Sequence, residues 1–186
     1  DGSVLQLVDE DKRAWHAGRS HWRQWDNVNN RSIGIEIVNP GHDGGLPPFP
    51  DAQIEAVIAL CRDIAARRAI APERILAHSD IAPGRKVDPG ERFPWARLAA
   101  ADVGLWREPA PDMDGLMLAF GATGAPVSAL QRDLAALGYG IEQTDVYDAR
   151  TKTVVEAFQR RWRPCRIDGV ADAGTRATIT AALPVA

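Results

Sequence analysis

Between Asp51 and about Ile70, apolar residues recur at three- and four-residue spacing, at Ile54, Val57, Ile58, Cys61, Ile64 and Ala65. That period predicts an amphipathic helix lying on one face of a sheet, with Asp51 after Pro50 as its cap. Arg62, Arg67 and Arg68 fall toward its end, where positive charge suits the helix dipole. Three more helical patterns follow: Val127 to Leu137, stopped by Gly138; about Ala149 to Trp162; and Asp172 to Leu183. Their short connections predict a compact three-helix unit. A further helix is expected to start at Phe93 to Leu98 and end near Gly104.

A different period marks the strands. Ser32 to Val38 alternates, placing Ile33, Ile35 and Ile37 on one face and Gly34, Glu36 and Val38 on the other. Val4 to Val8 and Arg13 to His16, separated by a polar turn, predict a hairpin, and Ile75 to Ala77 predicts a short buried strand. Gly18 to Arg31 has no sustained period and is expected as a long loop. Asn39 to Pro50, dense in Gly and Pro, is expected as a connector, with its His42 and Asp43 solvated. The expected class is α/β, a mixed sheet flanked by helices, followed by a small all-α three-helix C-terminal domain. Leu105 to Gly115 concentrates Pro and acidic residues, so the domains are drawn as 1–104, a linker over 105–115, and 116–186.

Composition narrows the picture. A chain of 186 residues with 45% hydrophobic content can bury a real core alongside a second small module. The net charge of -3, with no block of Lys or Arg, argues against a nucleic-acid partner. Most of the six tryptophans are expected in cores and interfaces. Cys61 and Cys165 lack metal-ligand spacing and are read as unpaired buried thiols, with an interdomain disulfide as the alternative. No apolar run approaches the roughly 18 residues of a membrane span. No signal-peptide pattern opens the chain, which bears little on location because the chain starts as if inside a domain.

Candidate chemistry concentrates in Ile75 to Gly90, ILAHSDIAPGRKVDPG. Pro83-Gly84 and Pro89-Gly90 predict that the chain leaves the Ile75 strand into a fixed loop rather than a helix. An imidazole and a carboxylate separated by such a loop can converge on a divalent ion, so His78 and Asp88 are candidate zinc ligands. An interior histidine beside an ordinary loop ion pair is the alternative. Lys86, two residues before Asp88, is expected on the same side, where an ammonium suits a developing oxyanion. Glu36 is a lone carboxylate in an apolar strand, and a general base beside activated water is one reason for it. Trp22, with Trp25 and His21, is available to form a groove wall for glycan or peptide, or else pins a surface loop. His16 ends the returning strand and is a candidate on the substrate side, with backbone bonding or metal binding as alternatives.

WHAG (Trp15 to Gly18), SIGIEIVN (Ser32 to Asn39), AHSDIAPGRKVDPG (Ala77 to Gly90) and FPW (Phe93 to Trp95) together resemble the zinc-dependent N-acetylmuramoyl-L-alanine amidases, a superfamily shared with peptidoglycan recognition proteins and phage T7 lysozyme. LQRDLAALGYG, VVEAFQRRWRP and IDGVADAGTRATITAAL resemble the peptidoglycan-binding helical domain of bacterial wall hydrolases. The nearest pattern is the envelope-type amidase carrying that domain. The resemblance implies His78 and Asp88 as zinc ligands, Glu36 as the residue that activates water, and Lys86 as stabiliser of the tetrahedral intermediate. It also implies a third zinc histidine on a strand upstream of WHAG, and this sequence, beginning at Asp1, does not contain that strand. The third ligand is therefore expected upstream of Asp1. The catalytic module is read as N-terminally truncated, and a cleaved N-terminal fragment that stays bound would complete it.

The implied reaction is hydrolysis of the amide between N-acetylmuramic, or anhydromuramic, acid and L-alanine of the stem peptide, for wall turnover or recycling. Peptidoglycan or muropeptides are the implied partners. The implied location is the bacterial envelope, in the periplasm with or without an outer-membrane anchor. Two alternatives stay open: a non-catalytic peptidoglycan-binding protein, and a zinc peptidase cutting within the stem peptide.

Overall fold

The computed structural model describes residues 1–183. Helix α1 spans Asp51–Arg68 and buries Ile54, Val57 and Ile64, the stripe its period puts on one face. It ends where Ala69 takes a left-handed φ of 50°. Asp51 is the first helical residue rather than the cap, and its carboxylate pairs with Arg97. Arg67 and Arg68 do more than oppose the dipole: both grip the Glu10 carboxylate, which fastens the N-terminal segment to the helix end. Helix α2 is a single turn, His78–Ile81, and α3 covers Trp95–Ala100. Ile54, Val57, Ala77, Phe93, Trp95 and Leu98 make the first core.

The strand expectations need correction in detail. Alternation dictates which faces a segment shows, but a strand also needs a neighbour to pair its N–H and C=O groups. Ser32 to Val38 keeps the expected alternation, with Ile33, Ile35 and Ile37 half-buried and Glu36 and Val38 exposed, yet it carries no ladder among the described residues. Val4–Val8, Arg13–His16 and Ile75–Ala77 are likewise unpaired, and the expected N-terminal hairpin is not formed. The ladder that is present joins β1, His21–Trp22, to antiparallel β2, Trp25–Asp26. It lies inside the stretch expected to be a loop. Arg23, at a left-handed φ of 54°, makes the two-residue turn, and His21 Nδ1 meets Asp26 Oδ1 at 2.7 Å across it. The α/β character of this half thus rests on a small sheet with helices and one unpaired alternating segment.

The helical half follows its pattern closely, with α4 at Ala125–Leu137, α5 at Ala149–Trp162 and α6 at Ala173–Ala182. A repeat not read from the sequence underlies it. Asp148 caps α5 by accepting from Thr151 N at 2.7 Å, and Asp172 caps α6 by accepting from Thr175 N at 2.7 Å. Gln131 and Gln159, both fully buried, each receive two backbone N–H groups of the following loop and donate to a loop carbonyl and to the capped Thr. Each buried amide thereby satisfies a connecting loop that would otherwise strand its polar groups.

Phe158 sits at the centre of the helical core, fully buried between Tyr139 and Trp162. Phe158→Ala is expected to cost about 3–5 kcal/mol, the usual range for emptying an aromatic core site. Chemical denaturation followed by helical circular dichroism reads it, and a loss below about 1 kcal/mol would show that the site collapses around the missing ring.

Leu105 to Gly115 is tied to the helical half at several points, although residues 111–115 are exposed. Trp106 stacks on Trp162 with ring centroids 6.1 Å apart, Ala110 N donates to Thr178 Oγ1, and Asp112 pairs with buried Arg163. The two thiols are free, as expected, but only Cys61 packs against a core; Cys165 is exposed. Among the described residues no helix is long and apolar enough to cross a membrane.

Candidate active site

The loop after Ile75 is folded back on itself. Ala77 is buried, and His78 opens α2 instead of continuing into irregular loop, correcting the expectation of a loop without helix. The cause is local: the Asp80 carboxylate reaches back to Ala77 N at 2.9 Å, satisfying a donor at the start of the turn. Arg85 N and Lys86 N both donate to Ala82 O, and Ser79 N donates to Asp88 O at 3.0 Å. These bonds return the chain to where it began and bring Asp88 against His78, with Nδ1 to Oδ2 at 2.9 Å.

Electrostatics around the pair are consistent with a cation site. His78 Nε2 lies 3.1 Å from Ala17 O, a carbonyl that can only accept. Arg85 Nη2 donates to the same carbonyl and lies 3.4 Å from His78 Nε2, so His78 Nδ1 faces the Asp88 carboxylate either through its own proton or across a shared cation. Donors on one tetrahedral zinc stand about 3.3 Å apart, given bonds of about 2.0–2.1 Å. Asp88 is held below the usual carboxylate range, first by its hydrogen bond with His78 and further by the charges of His78 and Lys86, against the opposing effect of burial. Among the described residues no group of three or more His, Cys, Asp or Glu is placed to hold a metal by itself. The pair therefore fits two positions of a coordination sphere, not a whole one.

The N-terminal end of the chain does not supply the missing position. Asp1, upstream of which the third histidine is expected, is exposed, and its Oδ1 accepts from Ser3 N at 3.0 Å. That carboxylate closes a local turn and joins no group of metal-ligating side chains.

The other candidates divide. Lys86 is half-buried in the same loop, and its charge acts on Asp88. Glu36 is exposed, and its charge acts on His16. His16 Nε2 bonds Ser32 Oγ at 2.9 Å, and its ring covers Gly34 so closely that a Cβ there would lie 2.4 Å from His16 Cγ. Its pKa is lowered, chiefly by burial and then by the charge of His78, against the opposing charge of Glu36. Trp22 does not join them: its ring meets Tyr139 edge-on at 5.1 Å and covers Gly138 in the helical half. It lines a cavity of about 670 Å³ with Arg23, Leu137, Arg161 and Trp162, behind the His78 turn.

Sequence reasoning missed two residues of this neighbourhood. Arg85 donates to Ala17 O and Arg19 O and so ties WHAG to the His78 loop. Asp80 is fully buried and receives hydrogen bonds from Tyr139 and Arg161 of the helical half. Its position three residues after Ala77 was the available local signal, the usual place for a carboxylate that closes a first turn.

An imidazole, a carboxylate and an ammonium gathered in one loop of a small α/β unit, with a helical module packed behind it, define a hydrolase with an appended binding-type module. Residues 1–91 match the N-acetylmuramoyl-L-alanine amidase family, and residues 123–179 match a peptidoglycan binding domain. N-acetylmuramoyl-L-alanine amidase AmiD of Escherichia coli K12 is 42% identical over 187 residues, covering 97% of this chain and 67% of its own. The 1,6-anhydro-N-acetylmuramyl-L-alanine amidase AmpD of Enterobacter cloacae is 45% identical over 100 residues, 54% of this chain and 51% of its own. The solved complex of E. coli AmiD with the substrate anhydro-N-acetylmuramic acid-L-Ala-D-gamma-Glu-L-Lys superposes with a TM-score of 0.80 at 39% identity, over 96% of this chain and 71% of that one. AMPDH3 of Pseudomonas aeruginosa, in complex with an anhydromuramic pentapeptide, gives 0.80 at 38% identity over the same shares. The chain belongs to the N-acetylmuramoyl-L-alanine amidase family. It spans about two thirds of AmiD and about half of AmpD.

Proposed function

We propose that the protein hydrolyses the amide between the lactyl group of N-acetylmuramic or 1,6-anhydro-N-acetylmuramic acid and L-alanine of the stem peptide, using zinc, in the bacterial envelope. The convergence of His78 Nδ1 and Asp88 Oδ2 beside Lys86 carries this reading. The muropeptide bound in the AmiD and AMPDH3 structures supports the substrate class.

His78 and Asp88 would supply two zinc donors, and the remaining positions fall to water, substrate or a further histidine on another segment. When bound, zinc would supply Lewis-acid polarisation of the scissile carbonyl and acidify water. Glu36 takes the proton of the attacking water as its oxygen bonds the carbonyl carbon, and returns it to the departing alanine nitrogen as the C–N bond breaks. Lys86 stabilises the oxyanion that exists between those steps. The helical module is the peptidoglycan-binding part of the chain.

The test is to incubate the protein and zinc with anhydromuramyl-L-Ala-D-γ-Glu-L-Lys and weigh the products. The expected result is free anhydromuramic acid and a tripeptide with an L-alanine amino terminus. A muramyl fragment that keeps L-alanine would make the protein a stem-peptide peptidase. Retention on peptidoglycan sacculi without cleavage would make it a binding protein. Intact mass of the same sample reads whether a second polypeptide accompanies the chain.

A further inference from the structure

Helix α5 belongs to the helical module, yet its side chains end on the loop that carries His78, Lys86 and Asp88. Arg161 is buried, and its Nη1 donates to Asp80 Oδ2 at 2.7 Å. The same guanidinium donates to Ile75 O at 3.1–3.2 Å and to Leu105 O at 3.3 Å. Tyr139, just beyond α4, donates its hydroxyl to Asp80 Oδ1 at 2.8 Å. Asp80 in turn holds Ala77 N. Residues 75, 77 and 80 are thereby fixed on both sides of His78.

The far end of the loop is held by the same helix. Arg150 Nη1 donates to Pro83 O at 3.3 Å. Gly84 has a φ of 79°, and a Cβ there would come within 2.6 Å of the Thr153 methyl group, so only glycine permits this approach.

A buried ion pair is a poor way to gain stability, because desolvating both charges offsets their attraction; apolar residues would glue two modules equally well. What the Arg161–Asp80 pair supplies is direction. A planar guanidinium fork fixes three acceptors in one geometry, which an ammonium does not reproduce. All three belong to residues flanking His78 or to the segment leaving the first module.

We propose that the helical module is the positioning element of the His78–Asp88 pair, acting through Arg161 of α5 and Tyr139 beyond α4 on Asp80, and through Arg150 and Thr153 of α5 on the loop that ends at Asp88. The helical module is then part of the catalytic scaffold and not only a wall anchor. This rests on His78 and Asp88 being the chemical pair, as proposed above.

The experiment compares wild type, Arg161→Lys and Tyr139→Phe in the full chain, with circular dichroism confirming that each is folded. Arg161→Lys keeps the charge near Asp80 but loses the fork. With soluble anhydromuramyl tripeptide, kcat is expected to fall by about 10- to 100-fold and zinc affinity, read by competition with a chromogenic chelator, by a similar factor, as is usual when support of a metal ligand is lost. KM should stay within about twofold, because an interaction that aligns reacting groups acts on turnover rather than on ground-state binding. Tyr139→Phe should follow the same direction with a smaller loss. Amide exchange over 75–88 should accelerate in both variants while the cores of α4 and α6 keep their protection. An unchanged kcat, or a raised KM with kcat intact, would overturn the proposal and leave the module as a binding surface. If wild type neither cleaves nor retains zinc, the functional reading fails on its own; exchange over 75–88 still decides whether α5 holds this loop.

Discussion

Glu36→Ala is expected to lower kcat by about 10²- to 10⁴-fold, the range general acid–base catalysis supplies, while zinc affinity stays at the wild-type value. The segment from Ser32 to Val38 half-buries Ile33, Ile35 and Ile37, with Ile37 against the first core, and leaves Glu36 exposed. No hydrogen bond engages its carboxylate among the described residues. Its charge acts on His16, on which the charge of His78 also acts. As the proposed base rather than a ligand, Glu36 would accept a water proton without displacing a metal donor. Glu36→Gln keeps the shape and removes the base, so it should lose as much rate as alanine does. Steady-state kinetics with anhydromuramyl peptide, together with elemental analysis of retained zinc, separate the possibilities. Zinc lost in step with activity would make Glu36 a ligand, and an unchanged rate would remove it from the chemistry.

How much of this was legible depends on the range of the interaction. Helices α4, α5 and α6 were readable because 3.6-residue periodicity and the stop at Gly138 are local signals, and local signals agree with the packed result. The face on which Glu36 sits was readable for the same reason, since alternation fixes faces without reference to a partner. Pairing was not. Nothing within Ser32 to Val38 states which segment lies beside it, while the two-residue turn that forms β1 and β2 depends on Arg23, a residue with no turn preference.

The site shows the same division. His78, Lys86 and Asp88 lie within eleven positions of one another in a Pro/Gly-punctuated loop, so their convergence could be anticipated from residue types and spacing. Trp22 could not be placed, because a tryptophan in a polar stretch serves equally as groove wall or as module contact, and the partner that decides, Tyr139, is more than a hundred residues away. Arg161 gives no sign of its role either. In VVEAFQRRWRP it is one of three arginines near a helix end, where the dipole alone is reason enough for positive charge. Only the fold shows that it points at Asp80 rather than at solvent. The linker hides its character for a related cause: Pro and acidic residues suggest a loose tether, but Trp106 and Asp112 find partners supplied by the module downstream.

Lys86→Ala is expected to reduce kcat by about 10²- to 10³-fold, or about 2.7–4 kcal/mol of transition-state stabilisation, the loss usual for an oxyanion donor. KM should barely change, because the charge Lys86 meets exists only after water has added to the amide carbon. Arg85 next to it cannot take over. Its guanidinium is held by Ala17 O and Arg19 O, and redirecting it would release the WHAG segment from the loop. Lys86→Met keeps the length and the half-buried stem without the ammonium, so a loss equal to that of alanine would assign the effect to charge rather than packing. Lys86→Arg should recover part of the rate, limited by the bulk of a planar fork where a point charge fits. Single-turnover rates with saturating muropeptide read the chemical step directly. A near-normal rate in Lys86→Met would remove Lys86 from the mechanism and leave its influence on Asp88 as its only role at the site.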